Sequence, residues 1–166
     1  MHSADADLSA SAGSFKEAKG NLETQSIIGI HTSSTPTATR KLAKRFAACL
    51  EAGDTVILIG QLGAGKTEFV RGVAEARGLK GEVASPSFVR LHAYGGTPPL
   101  YHADFYLAKS EEDAADYGLD ELSADGGVVL VEWGERFARL LPPISWKVSI
   151  EVDDTLKGRR IITISR

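Results

Sequence analysis

The fold is decided by the stretch TVILIGQLGAGKT at residues 55–67, where an apolar run leads into a glycine-rich loop. Residues 55–59 are a continuous β-branched apolar run, which is typical of a strand covered on both faces in a parallel α/β sheet. Residues 60–67 match the whole pattern G-x-x-x-x-G-K-[ST] of a phosphate-binding loop. We therefore predict an α/β protein with a single P-loop NTPase-like domain.

The chemistry of the loop explains why it needs these residue types. Glycines let the backbone N–H groups point inward and leave room for a phosphate, and the helix that begins at Lys66 adds its dipole. The Lys66 ammonium is expected on the β- and γ-phosphates, and the Thr67 hydroxyl on Mg²⁺. We predict that ATP binds here with Mg²⁺, held by Gly60, Leu62, Gly63, Ala64, Gly65, Lys66, Thr67 and Glu68.

The remaining elements are predicted outward from this loop. Strands are expected at residues 27–30, 55–59, 88–94, 100–105, 127–131, 146–152 and 159–164. One helix is expected after the cap-and-proline signal at residues 33–37, a second at residues 67–77, and a third from Ser110. The last two strands form a hairpin, so we predict a mixed sheet flanked by helices, with antiparallel strands toward the C-terminus.

Two carboxylates stand at strand ends, where α/β sheets bind ligands. Glu132 follows the apolar run at residues 128–131, as expected of the acidic residue that completes Mg²⁺ coordination, and Asp104 closes residues 100–103. The alternative for each is a surface carboxylate or a helix cap. His102 shares a strand face with Asp104 and is best interpreted as a structural histidine. Trp133 could lie in the core or could cover the edge of a partner or a ligand.

Composition bounds the class of protein. The chain has 166 residues and a formal net charge of −3, which disfavours a polyelectrolyte binder without excluding contact with RNA. Its one cysteine, Cys49, lies in an apolar run and is expected to be buried. Without a signal-like start or a long apolar segment, a cytoplasmic location is expected.

The N-terminal residues differ in composition from the rest of the chain. Residues 1–25 have few large apolar groups and are predicted to be a flexible extension, with the ATPase domain at residues 26–166.

Several motifs together resemble the TsaE (YjeE) family, the bacterial ATPases of tRNA threonylcarbamoyladenosine biosynthesis. They are the loop with residues 69–72, SPSF at residues 85–88, HADFY at residues 102–106 and VEW at residues 131–133. The resemblance covers residues 37–166. It implies that Thr67 and Glu132 coordinate Mg²⁺ and that Asp104, Glu132 and Lys66 are catalytic. It also implies that residues 85–88 sense the γ-phosphate, with Ser87 in contact with the nucleotide. It also implies that Trp133 lies beside the site and that Thr39 lies near the adenine.

The resemblance further implies a partner and a pathway. Members of the family act on the TsaB–TsaD complex, which forms threonylcarbamoyladenosine at adenosine 37 of ANN-decoding tRNAs. Their ATP hydrolysis is weak alone and stimulated by that complex. The sequence departs from the family at Leu107, where an arginine is usual, and at Val89, where a threonine is usual. Ser87 keeps the hydroxyl of the usual threonine.

Three other functions use a loop of this kind. A small-molecule kinase usually has an arginine-rich lid, whereas Arg90 is the only arginine between residues 78 and 132. A GTPase would carry the guanine-reading [NT]-K-x-D sequence, which is absent. A binding module would hold nucleotide without turnover. The kinase is the main alternative to the ATPase.

Overall fold

The computed structural model describes residues 24–79 and 91–166, and the strands within them form one mixed sheet. The strands are β1 (Gly29–Ser33), β2 (Thr55–Ile59), β3 (Leu91–Gly95), β4 (Leu100–Asp104), β5 (Val128–Glu132), β6 (Trp146–Val152) and β7 (Arg160–Ser165). Their order across the sheet is β1-β7-β6-β2-β5-β4-β3. The central strands β6, β2, β5 and β4 are parallel to one another. Antiparallel pairs flank them: β1 with β7, β7 with β6, and β3 with β4.

This arrangement confirms the predicted fold class, a mixed α/β sheet with an antiparallel C-terminal pair. It also confirms β2 at the residues predicted for it. Every residue of β5 is buried, and so are the first four of β2, which explains their continuous apolar sequences. Successive residues of β2 point to opposite faces: Val56 and Leu58 join one core cluster and Ile57 the other.

Two longer helices cover one face of the sheet. The helices are α1 (Pro36–Ala47), α2 (Lys66–Ala76), α3 (Glu111–Ala115) and α4 (Leu119–Ala124), followed by a 3₁₀ helix at Gly134–Leu140. Thr35 caps α1 by accepting the N–H of Ala38 at 3.1 Å, with Pro36 in the first turn, as the sequence predicts. Helix α2 begins at Lys66, as expected from the loop, whereas the apolar pattern predicts residues 67–77. Ser110 caps α3, as the sequence predicts.

Each face of the sheet has its own apolar cluster. Phe46, Phe69 and Trp146 pack together beneath α1 and α2, with Phe46 at 5.4 Å from Phe69 and 5.2 Å from Trp146 between ring centres. Phe105 and Phe137 belong to the cluster on the other face, under the shorter helices. Cys49 is buried in the first cluster, as predicted.

The structure departs from the predicted elements at the N-terminus. The strand predicted at residues 27–30 is wrong in its first half, because residues 24–27 are helical and β1 begins at Gly29. Ile27 is buried in the core and Gly29 has a φ of +135°, so the chain turns from helix to strand at a glycine. Helix α4 and the 3₁₀ helix were not predicted.

Some expectations lie outside the described residues, namely residues 1–23, the segment at residues 85–88 with Ser87, and the start of the strand predicted at residues 88–94. Within residues 24–79 and 91–166, no helix is both long and apolar enough to cross a membrane.

Candidate nucleotide-binding site

The glycine-rich loop joins β2 to α2 at the carboxyl end of the central parallel strands. Gly60 has a φ of +153°, and a Cβ there would collide with the carbonyl oxygen of Ile150 on β6. Only glycine therefore fits at this position, where the loop runs close to β6. Gly63 and Gly65 have φ values of +76° and +114°, and a Cβ on either would meet no atom of residues 24–79 or 91–166 within 4 Å. Among these residues the loop therefore borders open space, as a phosphate cradle requires.

A cavity of about 480 Å³ lies in front of the loop. It is lined by Leu62, Gly63, Gly65, Lys66, Thr67, Glu68, Asp104, Tyr106, Leu107, Glu132 and Trp133. The structure thus brings most of the predicted site residues to one place. Gly60, Ala64 and Thr39 are not among the lining residues, and Ser87 lies outside the described part of the chain.

Lys66 is buried in the site and held by the loop itself. Its Nζ donates hydrogen bonds to the carbonyl oxygens of Gly60 at 2.6 Å and Gln61 at 3.1 Å. The same atom lies 4.1 Å from the centre of the Trp133 ring, a cation–π contact. Burial lowers the pKa of Lys66, and the negative charges of Glu132, Asp104 and Glu135 oppose this shift.

Glu132 and Asp104 are the last residues of neighbouring parallel strands and lie opposite each other in register. The Thr67 hydroxyl donates to Glu132 Oε1 at 3.2 Å, and Asp104 Oδ1 accepts the Tyr106 N–H at 2.8 Å. Burial raises the pKa of Asp104, and the negative charge of Glu132 raises it further. The Tyr106 N–H, His102 and Lys66 lower this pKa, but by less. The site therefore combines two buried carboxylates, a hydroxyl and an ammonium group.

His102 is fully buried, as its structural interpretation predicts, but it also contacts the site. Its Nε2 lies 3.0 Å from Glu132 Oε1, the same oxygen that Thr67 contacts. Its Nδ1 has no hydrogen-bond partner among the described residues, and its ring stacks on Tyr94 at 6.4 Å. The H-x-D spacing placed this histidine beside Asp104, whereas its contact with Glu132 depends on the pairing of β4 with β5.

Trp133 follows Glu132 at a strained backbone position. With a φ of +60°, it is the only non-glycine residue in the described ranges with positive φ. Its ring covers Lys66 and lies 5.2 Å from the Tyr106 ring. Of the two interpretations left open by the sequence, the structure favours the edge of the site, although the ring also packs partly against the second core cluster.

Two predicted nucleotide contacts have protein partners in this structure. Glu68 pairs with Arg40 at 2.6 Å and also with Arg71, although it lines the cavity. Thr39 is buried in α1, where its hydroxyl lies 2.8 Å from that of Ser33. Their contacts with nucleotide stay predictions.

A parallel-centred α/β sheet with a phosphate-binding loop between its central strand and the next helix defines a protein with the P-loop NTPase-like fold. A family model described as Threonylcarbamoyl adenosine biosynthesis protein TsaE matches residues 33–162. The chain belongs to the TsaE family.

Individual relatives from this family match the chain over most of their own length. A protein of Treponema pallidum (strain Nichols), named tRNA threonylcarbamoyladenosine biosynthesis protein TsaE, is 43% identical over 116 residues, 70% of this chain and 84% of that protein. A protein of the same name from Streptomyces coelicolor is 41% identical over 132 residues, 76% of this chain and 88% of that protein. The crystal structure of Bacillus subtilis YdiB aligns with a TM-score of 0.68 and 34% identity, covering 81% of this chain and 82% of that one.

Proposed function

We propose that this protein is a Mg²⁺-dependent ATPase that acts with TsaB and TsaD proteins in forming threonylcarbamoyladenosine at adenosine 37 of ANN-decoding tRNAs. The family supports the biosynthetic role. The observation that carries the ATPase assignment is the meeting of Lys66, Thr67, Asp104 and Glu132 in one cavity at the phosphate-binding loop. The cytoplasm, where tRNA is modified, is the proposed location.

Each of these residues has a distinct role in the proposal. The loop N–H groups and the Lys66 ammonium bind the phosphate oxygens and stabilise their charge. Thr67 and Glu132 offer a hydroxyl and a carboxylate oxygen that contact each other at 3.2 Å, and oxygen is the ligand that Mg²⁺ prefers. These two side chains would hold the ion, whose chemistry here is to neutralise phosphate charge.

Asp104 is proposed to orient the attacking water and to accept its proton. Its raised pKa makes it a stronger base than an exposed aspartate. It also stands in register with Glu132, so that both carboxylates face the same end of the sheet. A site built in this way is expected to turn over slowly until a partner completes it. Residues 85–88 are proposed to change arrangement with the γ-phosphate.

The activity test uses the purified protein with and without a TsaB–TsaD complex. Glu132→Gln and Lys66→Ala should lower the stimulated rate of phosphate release by roughly 100-fold or more, because each removes a group that stabilises the transition state. Glu121→Gln, an exposed carboxylate on α4, is the matched control and should keep the wild-type rate. Full stimulated hydrolysis by Glu132→Gln would refute the role of Glu132.

The biosynthetic role has a separate test. A strain lacking this gene should lose threonylcarbamoyladenosine from its tRNA digests, as measured by mass spectrometry, and the wild-type gene should restore it. Glu132→Gln should fail to restore it and Glu121→Gln should succeed. A phosphorylated small molecule among the products of the purified protein would instead favour the kinase.

A further inference from the structure

Arg160, at the start of β7, contacts the phosphate-binding loop from outside the cavity. Its Nε donates a hydrogen bond to the carbonyl oxygen of Ala64 at 2.9 Å, although the two residues are 96 positions apart in the chain. Arg160 is not among the residues that line the cavity. Its contact with the site is therefore through the loop backbone.

The contact fixes the orientation of one peptide group. The carbonyl of Ala64 and the N–H of Gly65 belong to the same planar trans peptide, in which the two groups point in opposite directions. Ala64 is buried in the first core cluster and its oxygen is held by Arg160, whereas Gly65 lines the cavity. An arginine that holds the Ala64 oxygen outward thus turns the Gly65 N–H toward the cavity.

The loop needs such a restraint because of its own composition. Gly63 and Gly65 have positive φ values and no side chain, so the peptides near them rotate at little steric cost. A donor that must be aimed at a phosphate gains affinity when it is already oriented before binding.

We propose that Arg160 is a positioning residue of the phosphate-binding loop, which presets the Gly65 N–H for a nucleotide phosphate. The proposal rests on the proposed function, since it requires that nucleotide binds in this cavity. Among the described residues no carboxylate forms an ion pair with Arg160, whereas the adjacent Arg159 pairs with Asp153. The charge of Arg160 therefore also adds to the positive potential at the loop.

The test separates positioning from charge with two variants and one control. Arg160→Lys keeps the charge but loses the planar Nε donor, and Arg160→Leu loses both. Arg159→Leu removes a neighbouring arginine that does not touch the loop. Each protein is studied by calorimetric titration with ADP, by thermal unfolding, and by the amide resonance of Gly65 in ¹⁵N-labelled protein without nucleotide.

We expect both Arg160 variants to bind ADP about tenfold more weakly, because the Gly65 N–H must then be oriented when the phosphate binds. The Gly65 resonance should shift in both, while Arg159→Leu binds within about twofold of wild type. Wild-type affinity in Arg160→Lys, with or without a shifted resonance, would overturn the proposal. Weakened binding with an unshifted Gly65 resonance would also overturn it, because the loss would then arise elsewhere.

If the proposed function is wrong, the ADP titration gives a different result. In that case the wild-type protein itself shows no heat of ADP binding, which overturns both the nucleotide site and the role of Arg160 in it. A wild-type protein that binds ADP, beside variants that bind equally well, overturns only the positioning role.

Discussion

Asp104, the residue proposed to orient the attacking water, has an energetic cost in the folded state because it is buried. Its carboxylate is 7% exposed and stands in register with a second buried carboxylate, Glu132. Burial raises the pKa of Asp104 above the value of 3.8 that it has when exposed, so the folded protein binds this proton more tightly than the unfolded chain. Ionised Asp104 therefore lowers the free energy of unfolding.

The pH range of this effect follows from the sign of the shift. Well below pH 3.8 the side chain is protonated in both states and the cost is absent. As the pH rises from there through the raised pKa, the unfolded chain loses the proton first, and the cost grows until the folded protein also ionises. Above the raised pKa the cost is complete.

We predict that Asp104→Asn unfolds at a higher urea concentration than the wild type at pH 7, although it should be inactive. The amide oxygen can still accept the Tyr106 N–H, while the buried charge is gone. The gain should shrink as the pH approaches 3.8. Asp154→Asn, in an exposed turn, is the control and should leave the urea midpoint at pH 7 unchanged. A variant less stable than wild type at pH 7 would contradict the prediction.

At this scale the sequence predicts the residues of the site better than their partners. Lys66, Thr67, Asp104 and Glu132 follow from motifs that occupy fixed places in strands and loops. The contact of His102 with Glu132 and that of Arg160 with Ala64 join residues 30 and 96 positions apart. Such contacts depend on which strands are neighbours, and no local pattern contains that information.

Among the elements, the packing of α1 on α2 depends on one glycine. Gly72 lies in the interior of α2, where glycine is a poor helix former. A Cβ at this position would lie 2.6 Å from the carbonyl oxygen of Arg40 and 2.7 Å from the Cβ of Ala43, both on α1. The glycine therefore allows the two helices to approach closely above the sheet.

We predict that Gly72→Ala destabilises the protein by about 1–3 kcal/mol, because the new methyl group meets backbone that cannot move without shifting α1. Helix propensity alone predicts the opposite, a gain of about 1 kcal/mol. Urea unfolding decides between the two effects by the sign of the change. An unchanged or higher midpoint would show that α1 adjusts freely and that the close contact is not important for stability.

The elements themselves were predictable where their patterns were strong. The buried strands β2 and β5 appear as continuous apolar runs, and α1 has both a cap and an apolar face. Helix α4 was missed because it has six residues, of which only Leu119 is buried, too few to show a helical period. The position of β6 beside β2 could not be predicted, since nothing in either strand specifies its neighbour.

At the scale of the whole molecule, the residues around Ile27 mark where the folded domain begins. The sequence predicts a flexible extension at residues 1–25 and a domain from residue 26. Residues 24–27 are helical, and the Ile27 side chain is 1% exposed within the main core cluster. His31 further ties this turn to β1 by a hydrogen bond from its Nε2 to the Ile27 carbonyl oxygen at 2.8 Å.

Two truncated proteins would test this N-terminal boundary of the folded domain. Removal of residues 1–23 should change the free energy of unfolding by no more than about 0.5 kcal/mol, because a segment with so few large apolar groups contributes little burial. Removal of residues 1–28 also deletes Ile27 and should cost at least about 2 kcal/mol, the lower bound for the loss of a buried isoleucine. Urea unfolding of both proteins and ADP titration measure the outcome. If the shorter deletion already destabilised the protein by as much as the longer one, the domain would include residues before Thr24, and the predicted extension would be wrong.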